Sequence, residues 1–213
     1  QLAPFPTLKG DIKADVAVVG GGFTGLSAAL HLAERGFDVV LVDAQRVGWG
    51  ASGRNGGQLG SGQRVEQDAL EKMVGRDNAH LLWKFAEQSK DLVKELVKKH
   101  NIECDLTPGI IHADHRKRYI PESRHYVEKL QNEYDYDQIR FVEQEELREL
   151  VDSPAYYGGS VDMGAAHLHP LALAIGMADA AQKAGPRIFE NSRVTQIDEN
   201  AGRISTAEGS VTA

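Results

Sequence analysis

The chain has 213 residues and a net charge of −7 at pH 7, with 41% hydrophobic residues. This acidic balance argues against a nucleic-acid partner, because phosphate binding needs a basic surface. The single cysteine, Cys104, excludes an internal disulfide framework and suits a reducing cytoplasm. No apolar run reaches the roughly 18 residues that a membrane span requires.

The N-terminal segment, residues 1–14, carries Pro4, Pro6 and Gly10 and shows no apolar periodicity. This composition predicts an extended arm that either lies on the surface or packs on the far side of the sheet, and that has no chemistry of its own.

A short Val and Ala run at 16–19 is typical of a strand that is buried on both faces of a parallel sheet. Gly20, Gly22 and Gly25 follow it directly in G-x-G-x-x-G spacing. In this motif the first glycine allows a tight turn and the second lets the backbone approach a pyrophosphate. The third lets helix and strand pack closely.

Residues 23–35 have the apolar spacing of an amphipathic helix, and Gly36 stands where a C-terminal cap belongs. A second strand is predicted at 39–42. It ends on Asp43, where a carboxylate can accept hydrogen bonds from an adenosine ribose. Strand, turn, helix, strand and acid together predict a dinucleotide-binding fold.

The segment 48–58 contains five glycines in eleven residues directly after Asp43. A nicotinamide domain usually continues there into another helix and strand, whereas a flavoprotein must also wrap the flavin end of FAD. An NAD-linked dehydrogenase stays an alternative, and this second glycine loop argues against it.

Helices are predicted at 65–74 and 78–100, with Asp77 as a candidate N-cap of the longer one. One apolar stripe of that helix is interpreted as core packing. Its members are Leu81, Leu82, Phe85, Leu92, Val93, Leu96 and Val97.

Further along, the pattern predicts strands at 102–106 and 110–113 around a Pro108–Gly109 turn. Polar-rich helices are predicted at 121–134 and 143–151. Another strand is predicted at 157–162.

Pro170 is predicted to open a helix at 171–184 that Gly185 ends. Short strands are then predicted at 187–190, 193–198, 203–206 and 211–213.

The two glycine motifs, at 20–27 and 50–59, together with 36–40, resemble the D-amino-acid oxidase-like family of FAD-dependent oxidoreductases. They are most similar to its gamma-glutamylputrescine oxidase branch. The likeness runs over 3–213 and is strongest up to Leu59.

The resemblance implies an α/β fold in which a Rossmann-like FAD-binding domain, with a parallel sheet and flanking helices, is joined to part of an α+β substrate domain. It assigns residues 15–64 and 164–213 to a discontinuous, incomplete FAD-binding domain, and 65–163 to a helical and partial substrate-domain segment.

The family is nearly twice as long as this chain. We therefore expect an N-terminal half that is catalytically silent on its own and that self-associates. A naturally short relative is the alternative.

The resemblance also implies a set of FAD contacts. These are Gly20, Gly22, Phe23, Thr24, Gly25, Asp43, Ala44, Arg46, Gly50, Ala51, Ser52, Arg54, Asn55, Gly56, Gly57, Gln58 and Val194. For Arg54 the alternatives are a bidentate phosphate contact and a surface ion pair. For Val194 the alternatives are a backbone that runs past the adenine and a side chain that is only part of the core.

The implied reaction is FAD-dependent oxidation of an amine or amino acid, of the gamma-glutamylputrescine kind, with oxygen or another electron acceptor. No catalytic residue is assigned; His169 either meets the substrate or makes a local hydrogen bond. No metal spacing is present. Noncovalent FAD is implied because Arg54 and Asn55 stand where some relatives carry a flavin-linked His. A nucleotide-binding module without turnover stays as an alternative.

Overall fold

The computed structural model describes residues 2–213 and divides into two compact units. Unit 1 contains residues 2–56, 96–104 and 169–213, and unit 2 contains 57–95 and 105–168. The boundaries at 57 and 169 fall near the sequence-based ones at 65 and 164. The sequence did not predict that 96–104 belong with unit 1.

Residues 2–213 form eleven strands and six α-helices. In chain order they are β1 (Gly10–Lys13), β2 (Val16–Val19), α1 (Phe23–Glu34), β3 (Val39–Val42), β4 (Gln58–Leu59), α2 (Gln67–Val74), α3 (Arg76–Lys99), β5 (Thr107–Ala113), α4 (Ile120–Glu133), β6 (Ile139–Glu143), α5 (Gln144–Val151), β7 (Gly158–His167), α6 (Pro170–Ala184), β8 (Arg187–Phe189), β9 (Gln196–Asp198), β10 (Arg203–Ser205) and β11 (Gly209–Thr212).

A parallel sheet of order β2-β3-β8 forms the centre of unit 1. All four residues of β3 are buried, as their apolar run predicts. The expectation that β2 is buried on both faces is wrong, because β2 lies at the edge of this sheet and Val19 is 53% exposed.

A second sheet of unit 1 has the order β1-β11-β10-β9, and the extended N-terminal arm contributes its strand β1, which the sequence did not predict. Within the arm, β1 pairs in parallel with β11, so that Ile12 lies opposite Val211. Leu8 is fully buried in the same hydrophobic cluster as Val211. A partner strand almost two hundred residues away leaves no local signal in the sequence of the arm.

Helix α6 packs against α1 in unit 1. It begins at Pro170, whose fixed φ suits the first helical turn, and its C-cap is Gly185 with a φ of +121°. These predicted boundaries are confirmed. The α1 and β3 boundaries are confirmed to within one residue.

The sheet of unit 2 is built on β7, which pairs antiparallel with β4, β5 and β6. The sequence predicted only a short strand at 157–162, but β7 continues to His167. No strand forms at 102–106, and β5 passes through Pro108 and Gly109 with a register shift where the sequence predicted a turn.

The apolar stripe predicted on α3 is core only in part, because Leu96 is buried but three of its members are exposed. Leu81, Phe85 and Leu92 are 48%, 53% and 41% exposed, whereas Trp83 and Lys90 are buried. Trp83 packs into an aromatic cluster with α4, and Lys90 is held by polar partners. Because the hydrogen bonds of Lys90 are satisfied, this lysine can be buried, and the inward face of α3 then contains a charged residue that the hydrophobic pattern does not identify as buried. Asp77 lies in the first turn of α3, which begins at Arg76.

Candidate functional site

The glycine turn between β2 and α1 is shaped by close backbone packing. Gly20 has a φ of +105°, and a Cβ at Gly25 would overlap the carbonyl oxygen of Gly20. Gly22 is the N-cap of α1, without a side-chain cap, and the first turn of this helix holds no acidic residue. The positive end of the α1 dipole is therefore not neutralised by a carboxylate of its own helix, which suits an anionic phosphate.

Asp43 ties the end of β3 to the glycine turn. Its Oδ2 accepts a hydrogen bond from the Gly21 N–H at 2.6 Å, and its Oδ1 accepts one from the Gln45 N–H at 2.7 Å. An ionised carboxylate has about four acceptor positions, so capacity is left for hydroxyl donors.

The second glycine loop lies directly against the first. The Gly48 N–H donates to the Gly21 carbonyl at 2.9 Å, and the Phe23 N–H donates to Ser52 Oγ at 3.0 Å. A Cβ at Gly22 would lie 2.8 Å from Ser52 Oγ, so only glycine fits there without displacing the serine. The structure thus brings together two motifs that are almost thirty residues apart in sequence.

Arg54 and Asn55 shape the second loop. The Arg54 Nε donates to the Trp49 carbonyl at 2.5 Å, and its guanidinium lies 4.6 Å from the centre of the Trp49 ring. Asn55 Nδ2 donates to the Ala51 and Ser52 carbonyls across a short 3-10 helix. Arg54 also lines a cavity of about 360 Å³ in unit 1, together with Gly48, Trp49 and Gly53.

Glu190 is a site residue that the sequence reasoning missed. It follows β8 as Asp43 follows β3, because Val42 and Phe189 are paired in the sheet. Its side chain is fully buried, and Arg46 donates to it through Nε at 3.1 Å. Arg46, a predicted cofactor contact, thus has an ion-pair partner within the protein. An acid as the last residue of a predicted strand, here 187–190, is the signal that could have identified Glu190.

Other predicted contacts have diverse surroundings. Thr24 is exposed in the first turn of α1, Ala44 directly follows Asp43, and Gly50, Ala51 and Gly56 are exposed in the second loop. Val194 is half-buried and packs against the hydrophobic cluster that contains Leu8, Val40 and Val42.

Gly57 and Gln58 begin unit 2, where the Gly57 carbonyl accepts from Leu168 and Gln58 pairs with His167. His169 is the N-cap of α6, and its Nδ1 accepts a hydrogen bond from the Ala172 N–H at 3.2 Å.

The model of the family described as FAD dependent oxidoreductase (DAO) matches residues 15–213. The chain belongs to this family. Within residues 2–213, no group of three or more His, Cys, Asp or Glu residues could hold a metal ion. In the same part of the chain, no helix has both the length and the apolar character needed to cross a membrane.

Two curated relatives match this chain over almost the whole of its 213 residues. It is 42% identical over 214 residues to gamma-glutamylputrescine oxidoreductase of Escherichia coli (strain K12), covering 100% of this chain and 50% of that protein. It is 40% identical over 211 residues to the probable oxidoreductase OrdL of Rhizobium meliloti (strain 1021), covering 98% of this chain and 49% of the relative. The chain thus spans about half the length of the curated relatives it matches.

Two solved structures share the α/β fold. Glycine oxidase from Geobacillus kaustophilus has a TM-score of 0.76 at 22% identity, with 95% of this chain and 54% of that chain covered. L-amino acid deaminase from Proteus myxofaciens has a TM-score of 0.75 at 20% identity, with 99% and 47% covered. At these identities the likeness shows the fold alone.

The residues of unit 1 fit FAD, the cofactor of the family. The start of α1 carries no side-chain cap, Gly22 leaves no room for a side chain beside Ser52, and Asp43 retains acceptor capacity at the end of β3. These features are the ones that a pyrophosphate and a ribose require.

Proposed function

We propose that this protein acts in the FAD-dependent oxidation of an amine or amino acid at a C–N bond. The observation that carries the proposal is the direct packing of the second glycine loop on the glycine turn, through Gly48, Ser52 and Phe23. A nicotinamide domain has no need of this second loop. Identity of 42% to a gamma-glutamylputrescine oxidoreductase supports amines of that kind as substrates.

The residues of unit 1 have separable roles in this proposal. The N–H groups at the start of α1 hold the pyrophosphate, and Asp43 accepts hydrogen bonds from the adenosine ribose. Ser52 fixes the second loop, whose unit 1 residues from Gly50 to Gly56 border the ribityl chain and the flavin. The backbone of Val194 lies beside the adenine.

When bound, FAD supplies the hydride acceptor at flavin N5, and the oxidised substrate leaves as an imine. The protein's part is to hold the cofactor, orient the substrate C–H bond and exclude water. Oxygen or another electron acceptor would be the second substrate. In this proposal FAD is held noncovalently, because Arg54 and Asn55 stand where some relatives carry a flavin-linked histidine.

The proposal is tested by anaerobic flavin bleaching. Because this chain spans about half the length of its curated relatives, the test uses the natural holoprotein that contains it, not residues 1–213 alone. This holoprotein is mixed with gamma-glutamylputrescine, putrescine, glycine and D- and L-alanine, and its flavin absorbance is followed. We expect an amine to bleach the flavin. The control is 4-amino-1-butanol with its nitrogen blocked, which keeps the hydroxyl group but has no free amine, and it should leave the flavin absorbance unchanged. A flavin that no amine bleaches would instead support a nucleotide-binding module without turnover. A purified protein without flavin absorbance would instead support the NAD-linked dehydrogenase alternative.

A further inference from the structure

Unit 2 contains a cavity of about 220 Å³ between its sheet and the helices α2 and α4. Ile110 of β5 and Ile139 of β6 give it an apolar wall. Glu66, Tyr126 and Asp162 give it polar groups from three different elements. An apolar wall with a few convergent polar groups is the usual composition of a small-molecule site.

Asp162 is fixed in place by its own hydrogen bonds. Its Oδ1 accepts from the Tyr136 hydroxyl at 2.6 Å and from the N–H groups of Gly164 and Ala165 at 3.0 and 3.1 Å. Three donors on one oxygen hold this carboxylate in one orientation. The cavity therefore has a rigid negative charge on β7.

Glu66 adds a second carboxylate that its helix does not use. It occupies the N-cap position of α2, and its side chain makes no capping hydrogen bond there. Burial, followed by the charge of Glu122, raises the pKa of Glu66 above its ordinary value. Burial also raises the pKa of the Tyr126 hydroxyl, and the charges of Glu66 and Asp162 raise it further. Burial acts here by removing water from each group, whereas the effects of Glu122 on Glu66 and of Glu66 and Asp162 on Tyr126 reflect negative charge at the cavity.

Nearby basic groups are already paired. Lys90 donates to Ser61, which lines the cavity, but it also pairs with Glu87 at 2.7 Å. His112 lines the cavity as well, and its Nε2 lies 3.7 Å from Asp114. Among the described residues that line the cavity there is no lysine or arginine.

We propose that this cavity binds a protonated alkylamine. Its ammonium group is held by Glu66 and Asp162, its carbon chain packs against Ile110 and Ile139, and the Tyr126 ring adds a cation–π contact. The side chains of Glu66 and Asp162 select a positive charge. A neutral alcohol has no charge and an anionic ligand has the wrong one. This inference rests on the proposed function for identifying the ligand as an amine substrate, and it adds the groups that recognise the substrate's charge.

The test measures binding of n-pentylamine to the flavin-free chain by calorimetry, with 1-pentanol and pentanoate as neutral and anionic probes of the same length. We expect the amine alone to bind, and Glu66→Gln to weaken it about fivefold, the size of a partly solvated ion pair. Glu149→Gln removes the same charge from an exposed position on α5 that does not line the cavity, and it should leave the affinity unchanged.

Asp162→Asn is the second variant, with circular dichroism used to check that unit 2 stays folded. A folded variant should bind the amine more weakly, whereas unchanged binding in both variants would overturn the site. Equal binding of 1-pentanol, or no binding of n-pentylamine to the unaltered chain, would also overturn it. These readouts need no flavin, so failed amine oxidation with intact charge-selective binding would refute the proposed function and not this site.

Discussion

The buried carboxylate of Glu190 accepts a hydrogen bond from the Val47 N–H at 2.9 Å. Val47 directly precedes Gly48, whose N–H donates to the Gly21 carbonyl. The same carboxylate accepts from Phe5 N–H and from Arg46 Nε. Glu190 therefore fixes the N-terminal arm and the start of the second glycine loop at once, and it positions this loop against the glycine turn.

Glu190→Gln should lower the free energy of unfolding by about 1–3 kcal/mol, the cost of leaving a buried donor unsatisfied. The amide keeps one acceptor oxygen but directs an NH2 group at donors that need acceptors. FAD affinity should fall as well, because the loop at Val47 loses its anchor. Urea unfolding and flavin fluorescence quenching measure the two effects.

Glu199→Gln is the control for this variant, since Glu199 is exposed in the turn between β9 and β10. Its effect on unfolding should stay within about 0.5 kcal/mol. Equal unfolding curves for Glu190→Gln and Glu199→Gln would contradict the role assigned to Glu190.

Gly22→Val should abolish flavin retention. The new side chain meets Ser52 Oγ and occupies the place where backbone must approach the pyrophosphate. Gly60→Ala is the matched control, because a Cβ at Gly60 meets nothing within 4 Å. The ratio of flavin absorbance to protein absorbance after gel filtration is the measurement, and a full flavin complement in the valine variant would refute the assignment.

Acid precipitation of the holoprotein should release all of its flavin into the supernatant. The second loop offers Arg54 and Asn55 where some relatives link the flavin through histidine, and Cys104 is buried. The supernatant absorbance quantifies the release. A yellow pellet that yields a flavin-bearing peptide from residues 2–213 would show a covalent bond.

Much of unit 1 is predictable because its signals are local. The α1 helix carries its own apolar stripe and glycine stop, β3 is a continuous apolar run, and α6 begins at Pro170 and ends at Gly185. Asp43 and the glycines have spacings that only a strand, turn and helix explain. Each of these signals lies within about twenty residues of the element that it predicts.

The failures involve partners that are distant in sequence. The arm is not identifiable as β1 without β11, and the burial of Glu190 depends on donors from Phe5 and Val47. The inward face of α3 was misidentified because Lys90 is buried among polar partners, whereas Phe85 is exposed. In such cases a charged side chain is buried because residues from other elements hydrogen-bond to it, and the hydrophobic pattern of the helix alone does not identify its buried face.

Acid should destabilise unit 2 through the cluster around Lys129, which joins α4 to α2. Its Nζ lies 3.2 Å from Asp68, 3.1 Å from Glu71 and 3.3 Å from Glu133. Burial favours the neutral lysine, but hydrogen bonds to the three carboxylates outweigh it and raise the pKa of Lys129. Burial likewise opposes ionisation of Asp68 and Glu71. Their hydrogen bonds, from His125 and Lys129 to Asp68 and from Tyr134 and Lys129 to Glu71, nevertheless lower both pKa values.

A carboxyl group with a lower pKa in the folded chain stabilises the fold above its unfolded pKa and loses this effect as the pH falls through its folded pKa. The ordinary values are 3.8 for Asp68 and 4.5 for Glu71. We therefore expect this contribution to stay constant from pH 7 to near 5 and to decline progressively below the ordinary values. Urea unfolding midpoints across this range measure the decline, recorded by the fluorescence of Trp83 in a Trp49→Phe background that removes the second tryptophan.

Lys129→Met should remove most of this acid dependence and lower the free energy of unfolding at pH 7 by about 1–3 kcal/mol. This is less than a fully buried pair would lose, because the carboxylates are partly exposed. Lys183→Met removes an exposed lysine that pairs with Asp179 on α6 and should change stability by less than about 0.5 kcal/mol. If Lys129→Met kept the acid dependence of the unaltered chain, other carboxylates would have to cause it, since the lysine is the hydrogen-bond donor that Asp68 and Glu71 share.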